Sequence, residues 1–331
     1  MFDMRALAPL AAFTATLLLL AMFLRIKLFT GIQDIPNQRS LHVQPIPRIG
    51  GLALIIGAFG AYGILVRQPL WCIEIPILLL IGVSFADDVW NLPARWRFLA
   101  HFVAATIFVY WGLGLVSVDI VTILIVMVVV WMINLYNFMD GSDGLAGGMA
   151  MIGFCVYGVA ALLAQRSDLA VVSFSIAASA TAFLIYNFHP AKVFLGDVGS
   201  IPLGFAAGSL GLLGWNRSIW PLWFPLLVFS PFIVDATLTL LKRLSHRERV
   251  WEGHREHYYQ RIVRMGWGHS KTALVEYGLM VCVGSSAVIA LRWSQSTQVV
   301  LLVGWACVYS GIAFSLDRAW QRYQATQTDA N

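Results

Sequence analysis

Residues 118–146 read VDIVTILIVMVVVWMINLYNFMDGSDGLA. The first two thirds are almost wholly apolar, about the 20 residues that one helix needs to cross a bilayer core. The stretch then turns polar at once, with Asn134, Asn137, Asp140 and Asp143 interleaved with Gly141 and Gly144. A helix that is apolar on every side is a buried or membrane helix, so the segment predicts a span that ends in a polar loop. Asn134 and Asn137 lie one turn apart and need partners, because unpaired amides in apolar surroundings are costly. The glycines interrupt the helix and let the backbone approach a ligand. The carboxylate spacing does not fit an EF-hand.

Working outward, ten further apolar blocks occur, and with 118–138 they make eleven: 6–24, 49–66, 70–86, 98–116, 147–164, 169–188, 200–214, 220–241, 272–291 and 298–316 are the others. The expectation is an all-α polytopic membrane protein of about eleven transmembrane helices (ten as the alternative), forming a single domain over residues 1–331. Composition points the same way. Of 331 residues, 59% are hydrophobic and 12% charged, where a soluble domain has about 45–50% and about 25%. That balance excludes an ordinary soluble, disordered or disulfide-stapled chain. The first block runs into Phe23-Leu24-Arg25 with no small-residue cleavage site, so it is expected to stay as a helix. Cys72, Cys155, Cys282 and Cys307 all lie in apolar runs with no zinc or redox spacing, and read as small core hydrophobes.

A net charge of +5 is compatible with nucleic acid, but the basic residues sit in short connections between spans, as in membrane proteins. Connections after odd-numbered spans, with the C-terminal tail, carry seventeen Lys and Arg; the other side carries five. This asymmetry predicts a cytoplasmic C-terminus and an N-terminus on the outer, periplasmic side.

Asp87, Asp88, Asp140, Asp143, Asp197 and Asp235 all fall at the predicted cytoplasmic ends. Carboxylates at a membrane boundary are hard to desolvate and mark functional sites. Asp87 and Asp88 repel each other unless a cation or proton intervenes, and a helix C-terminus disfavours acids. Arg95 and Arg97 follow, and planar guanidinium donors suit phosphate. The stretch Asn187-Phe-His-Pro-Ala-Lys192-Val-Phe194-Leu-Gly196-Asp197-Val-Gly199-Ser200 brackets an aspartate with glycines. Such a loop can hold Mg²⁺ through Asp197 while backbone donors approach phosphate oxygens. It is not a P-loop, and His189 reads as a polar turn residue. The longest polar stretch, Lys242–Lys271, contains Gly253-His254-Arg255-Glu256-His257. Two histidines three apart could share a helical face, a weak zinc-like signal; an anionic-lipid-binding loop is the plain alternative. Together these features point to Mg²⁺-assisted chemistry on a phosphate substrate at the cytoplasmic membrane edge.

The ordered set Pro47-Arg48-Ile-Gly50-Gly51, Asp87-Asp88, Asn137-x-x-Asp140-Gly-x-Asp143-Gly-Leu-Ala, Phe194-x-Gly196-Asp197-x-Gly199-Ser200 and a final histidine loop resembles the polyprenyl-phosphate N-acetylhexosamine-1-phosphate transferases, over essentially the whole chain. The resemblance implies transfer of a sugar 1-phosphate from a UDP-sugar to undecaprenyl phosphate in the bacterial inner membrane, with release of UMP and with Mg²⁺, or Mn²⁺, as cofactor. By similarity Asp197 is the metal ligand, and Asp87, Asp88 and His257 are the catalytic groups. Asn137, Asp140, Asp143, Asn187, Phe194, Arg48, Arg97 and Arg255 are then substrate-binding, with Phe194 stacked on uracil. The last loop lacks the histidine run of the peptidoglycan branch, and Asn91 stands where that branch has lysine. These departures favour an initiating enzyme of O-antigen, lipopolysaccharide or related envelope glycans, with a GlcNAc, QuiNAc or FucNAc donor. No nucleic-acid partner is expected, and the oligomeric state is left open, a homodimer included. The rival reading is an ion-coupled secondary transporter. Transporters usually hold such charges near the bilayer midplane at repeat interfaces, and here no repeat is visible.

Overall fold

A chain crossing lipid finds no water for its backbone, so each apolar block must close its hydrogen bonds internally as a helix. The computed structural model describes residues 4–26, 33–34, 45–66, 70–249 and 254–328. Gly253, named above, and Lys27, Arg39 and Arg67, three of the basic residues counted above, lie outside the described residues. The helices are α1 (Ala8–Ile26), α2 (Gly50–Leu65), α3 (Trp71–Trp90), α4 (Ala94–Leu113), α5 (Ile120–Phe138), α6 (Leu145–Leu163) and α7 (Ser167–Asn187). They continue with α8 (Asp197–Asn216), α9 (Trp223–Val228), α10 (Ser230–Ser245), α11 (Tyr258–Ile262), α12 (Gly268–Ala290) and α13 (Gln295–Thr328). The only strands among the described residues, β1 (Gln33–Asp34) and β2 (Ile46–Pro47), form a two-residue antiparallel ladder. The chain is an all-α polytopic membrane protein.

Helix covers each of the eleven predicted blocks, though the blocks differ in how far each one is a single long apolar helix. Eight helices among the described residues are long and apolar enough to cross a membrane. Of the rest, α2 has only 16 residues, and α3 carries Glu74, Asp87 and Asp88. The block at 220–241 is broken in two, with α9 stopping at Val228 and α10 starting at Ser230. Pro231 is the reason: it lacks an N–H, its ring clashes with the preceding turn, and it suits the first turn of a new helix. At the other extreme α13 has 34 residues, about 51 Å at 1.5 Å per residue. It runs well past the predicted limit at 316 and brings Asp317 onto Lys242 and Arg261.

At the centre lies α8, buried at every residue from Val198 to Gly214 and packed against α2, α3 and α5. Gly204 and Gly208 face Met132 and Tyr136 of α5. Small residues let helices approach closely, which is how association is favoured where lipid is as apolar as leucine. Around this axis α1 packs on α2 and α7, and α6 on α7 and α12. The four cysteines are free, as expected, but Cys155, Cys282 and Cys307 are exposed and Cys72 is half-buried. Only Cys72 packs against the core; the other three are not core residues. A span apolar all round carries no periodic mark separating its protein face from its lipid face.

Candidate active site

The site is built where two sequence motifs interlock. At the start of α2 the Gly50 N–H donates to Phe194 O (2.9 Å) and the Gly51 N–H to Leu195 O (3.0 Å), while the Phe194 N–H donates to Pro47 O (2.9 Å). Helix N-termini leave such amides without intrahelical partners, and here the 194–195 loop supplies them. Gly196 then turns the chain with φ +68°, a left-handed conformation natural to glycine, and Asp197 begins α8. The backbones touch at Gly51 and Gly199: a Cβ on either would lie 2.4–2.5 Å from the other's Cα. This docking delivers Arg48 to the site. Its guanidinium bonds Asp34, brought alongside by the β1–β2 ladder, and lies 3.9 Å from Asp88.

The second unit is the α3–α4 turn. Asn91 closes α3 in a left-handed conformation (φ +50°), its N–H donating to Asp87 O (2.8 Å). Leu92-Pro93 then lead into α4, so Arg97 folds back over the end of α3. Arg97 Nη1 lies 3.1 Å from Asp87 Oδ2 and 3.4 Å from Asp197 Oδ2, so one guanidinium bridges carboxylates 110 residues apart in sequence. Asp88 Oδ2 is buried with no hydrogen-bond partner, a state that costs about 1–3 kcal/mol. Arg95 points elsewhere, over the Trp96 ring.

The α5–α6 loop closes a third side. Asn137 Oδ1 accepts from the Ser200 hydroxyl (2.9 Å). Burial pushes the Asp140 carboxyl well above the ordinary carboxylate range, and nearby Asp197 adds to this, while a hydrogen bond from the Gly196 backbone opposes it. Asp143 is buried, accepts from the Ala191 N–H (3.2 Å) and lies 2.7 Å from His189 Nδ1. The Asn187 amide is committed to the scaffold: its oxygen accepts from the Gly144 N–H (3.0 Å) and its nitrogen donates to Val193 O (2.9 Å). It ties the two loops together. His189, read above as a turn residue, pairs with Asp143 and stacks on His269, which in turn meets Ser142. Asn134 sits deeper, bonded to Val130 O and facing His101.

In the last loop the His254 and His257 rings do meet, with centroids 4.8 Å apart, but not as the sequence pattern suggests. His257 caps the short helix α11 and His254 precedes it in coil, so the two share no helical face. Among the described residues no three His, Cys, Asp or Glu groups converge on a possible metal position. Burial, with His257 and Arg243 nearby, pulls His254 down to about 4, so it is neutral at physiological pH. Arg255 is half-buried and its carbonyl accepts from Arg264. The loop joins the site through Tyr259, whose hydroxyl donates to Phe138 O (3.1 Å), two residues before Asp140.

Three of the sequence-predicted groups therefore meet directly: Asp87 and Asp197 through Arg97. Asp88 and Arg48 adjoin each other, and Asn137 and Asp140 line the same α8 entrance. Sequence reasoning missed Asp34, His189 and Ser200 as partners. The residues fit Mg²⁺. That ion prefers one or two carboxylates and fills its shell with water and substrate phosphate, so a ready three-ligand cage is not required. Asp87 and Asp197 already share one positive group, and Asp88 presents an unsatisfied oxygen.

The sequence model of glycosyl transferase family 4 matches residues 70–214. A Bacillus subtilis protein named probable undecaprenyl-phosphate N-acetylglucosaminyl 1-phosphate transferase is 30% identical, over 92% of this chain and 91% of the relative. A decaprenyl-phosphate N-acetylglucosaminephosphotransferase of Mycobacterium tuberculosis is 28% identical, over 84% and 80%. A phospho-N-acetylmuramoyl-pentapeptide-transferase of Symbiobacterium thermophilum is 30% identical, over 70% and 78%.

Proposed function

The chain belongs to glycosyl transferase family 4, the polyprenyl-phosphate N-acetylhexosamine-1-phosphate transferases, and from that premise we propose that it moves an N-acetylhexosamine 1-phosphate from its UDP-sugar to undecaprenyl phosphate. The observation that carries the proposal is the Arg97 bridge between Asp87 and Asp197, with Arg48 beside Asp88. Guanidinium groups that can bind phosphate are thereby interleaved with carboxylates that can hold a divalent ion. N-acetylglucosamine is the first sugar to try, since two of the relatives carry it in their names. The product would start an O-antigen, lipopolysaccharide or related envelope glycan. The seventeen-to-five basic asymmetry supports a cytoplasmic site in the bacterial inner membrane.

In this reading an oxygen of the lipid phosphate attacks the β-phosphorus of the UDP-sugar. The bond from that phosphorus to the bridging oxygen breaks, and UMP leaves with the electron pair. Such transfers rest mainly on positioning and charge stabilisation. Arg48 and Arg97 orient the phosphates through planar donors. Asp88, with its free oxygen, and Asp87 orient the acceptor phosphate and take its remaining proton. Asp197 would hold the Mg²⁺, or Mn²⁺, whose charge neutralises the diphosphate. Purified protein given UDP-N-acetylglucosamine, undecaprenyl phosphate and Mg²⁺ should release UMP only when all three are present, and EDTA should stop it. Uptake of solute into vesicles without UMP release would instead identify the transporter.

Phe194 supports the placement of the nucleotide. Its backbone is pinned to Pro47 of β2 and to Gly50 at the start of α2, while its side chain is only half-buried three residues before Asp197. Base–aromatic stacking contributes about 1–3 kcal/mol. Phe194→Ala should therefore weaken use of the UDP-sugar about 5–150-fold and leave the KM for undecaprenyl phosphate unchanged. Equal losses for both substrates would make Phe194 a packing residue.

A further inference from the structure

Asp235, on α10, is an acid that the reaction above does not use. It is 7% exposed, and four polar groups surround its carboxylate. Oδ1 accepts from the Tyr258 N–H (2.9 Å) and the Thr239 hydroxyl (3.2 Å), and lies 3.3 Å from His257 Nδ1; Oδ2 accepts from the Tyr259 N–H (3.0 Å). From α10 this side chain ties the last loop back to the bundle, beside the Lys242–Tyr258 hydrogen bond and the Arg243–Glu256 ion pair. The loop has a second anchor on the opposite side, where Tyr259 bonds Phe138 O and the His257 ring stacks on the Phe138 ring with centroids 6.3 Å apart. Phe138 ends α5 and leads directly into the Asp140–Asp143 loop. Asp235 and Phe138 thus hold His257 between them.

An ionised carboxylate can only accept hydrogen bonds. Its contact with Nδ1 therefore requires the proton on that nitrogen, and Nε2 is left as the ring's acceptor. A carboxylate behind an imidazole commonly fixes its tautomer and direction in this way. We infer that Asp235 is a positioning residue: it seats the last loop through the Tyr258 and Tyr259 amides and fixes the tautomer and orientation of His257 through Nδ1. The role of His257 rests on the transferase reading; the contacts of Asp235 do not.

The test uses the full chain, purified, with the variants Asp235→Asn, Asp235→Glu, His257→Gln and the Asp235→Asn/His257→Gln double. Asparagine keeps the shape but turns an NH₂ toward a group that must donate to it. The amides of Tyr258 and Tyr259 should then exchange hydrogen about tenfold faster, in line with the loss of a bond to a charged group. Asp235→Asn should lower kcat for UMP release at least about tenfold, with the KM for undecaprenyl phosphate unchanged. Asp235→Glu should recover part of the rate. The double variant should lose clearly less than the product of the two single losses, because Asp235 acts in part through that ring. Multiplying losses, or unchanged exchange at Tyr258 and Tyr259, would overturn the proposal. So would loss of folding in both Asp235 variants while His257→Gln folds. Wild-type protein that releases no UMP would overturn the transferase reading instead, and the exchange measurement would still decide whether Asp235 seats the loop.

Discussion

Asp197→Asn should reduce turnover at least about a hundredfold while the protein inserts and folds normally. The side chain stands at the first residue of α8 with its Oδ2 3.4 Å from Arg97. Asparagine keeps one acceptor oxygen and the volume, so only the negative charge is lost. Removing one preorganised electrostatic group from a transition state typically costs about 2.7–4 kcal/mol, or a factor of about 10²–10³. Folding is insulated from the change because other contacts set the position of α8. These are the Gly51–Gly199 approach, the Ser200–Asn137 hydrogen bond and the buried face from Val198 to Gly214. Turnover measured against Mg²⁺ concentration, beside a melting curve in detergent, separates the two effects. Partial recovery at high Mg²⁺ is expected. A folded variant with near-normal turnover would move the metal to Asp87 and Asp88.

Gly51→Ala should be comparably damaging for a different reason. The new Cβ would sit 2.4 Å from the Gly199 backbone and 2.4 Å from Leu195 O. Neither neighbour is a flexible side-chain end, so α2 and α8 must separate. Overpacking of this kind destabilises by about 1–3 kcal/mol. The larger loss falls on activity, since Arg48 precedes α2 and Asp197 begins α8, and misplacing reacting groups by about 1 Å can cost about a hundredfold. Gly60→Ala is the control: it lies in the same helix with nothing near its Cβ position, and should leave turnover intact while slightly stabilising the helix. Equal, small effects from both substitutions would mean that the α2–α8 contact does not set the site.

The membrane spans were legible because length and apolarity are properties of contiguous residues. Blocks such as 118–138 and 169–188 differ from α5 and α7 by only a residue or two at each end. The break between α9 and α10 was carried by Pro231, a local signal hidden inside a continuous apolar run. Three of the cysteines were misassigned for a related reason, because a uniformly apolar helix does not reveal which face meets protein. The clusters at Asp87, Asp140 and Asp197 stood out because charge is rare in such a chain, and each cluster holds residues that the structure brings to the entrance of α8.

Sequence alone could not say what each charge faces. Arg97 lies 100 residues from Asp197, Asp143 lies 46 from His189, and Asp235 lies 22 from His257. His189 looked like turn filling and Asp235 like one more boundary acid, since nothing local marks a partner that arrives from another helix. The amino-acid sequence by itself determined that this chain spans a membrane, where along it the acids cluster, and which family motifs it carries. Only the tertiary structure decided which carboxylates share a guanidinium, which amide is spent on scaffolding and which acid stands behind the last-loop histidine. Hydropathy sums along the chain, whereas electrostatic and hydrogen-bond partnerships depend on distances that only packing fixes.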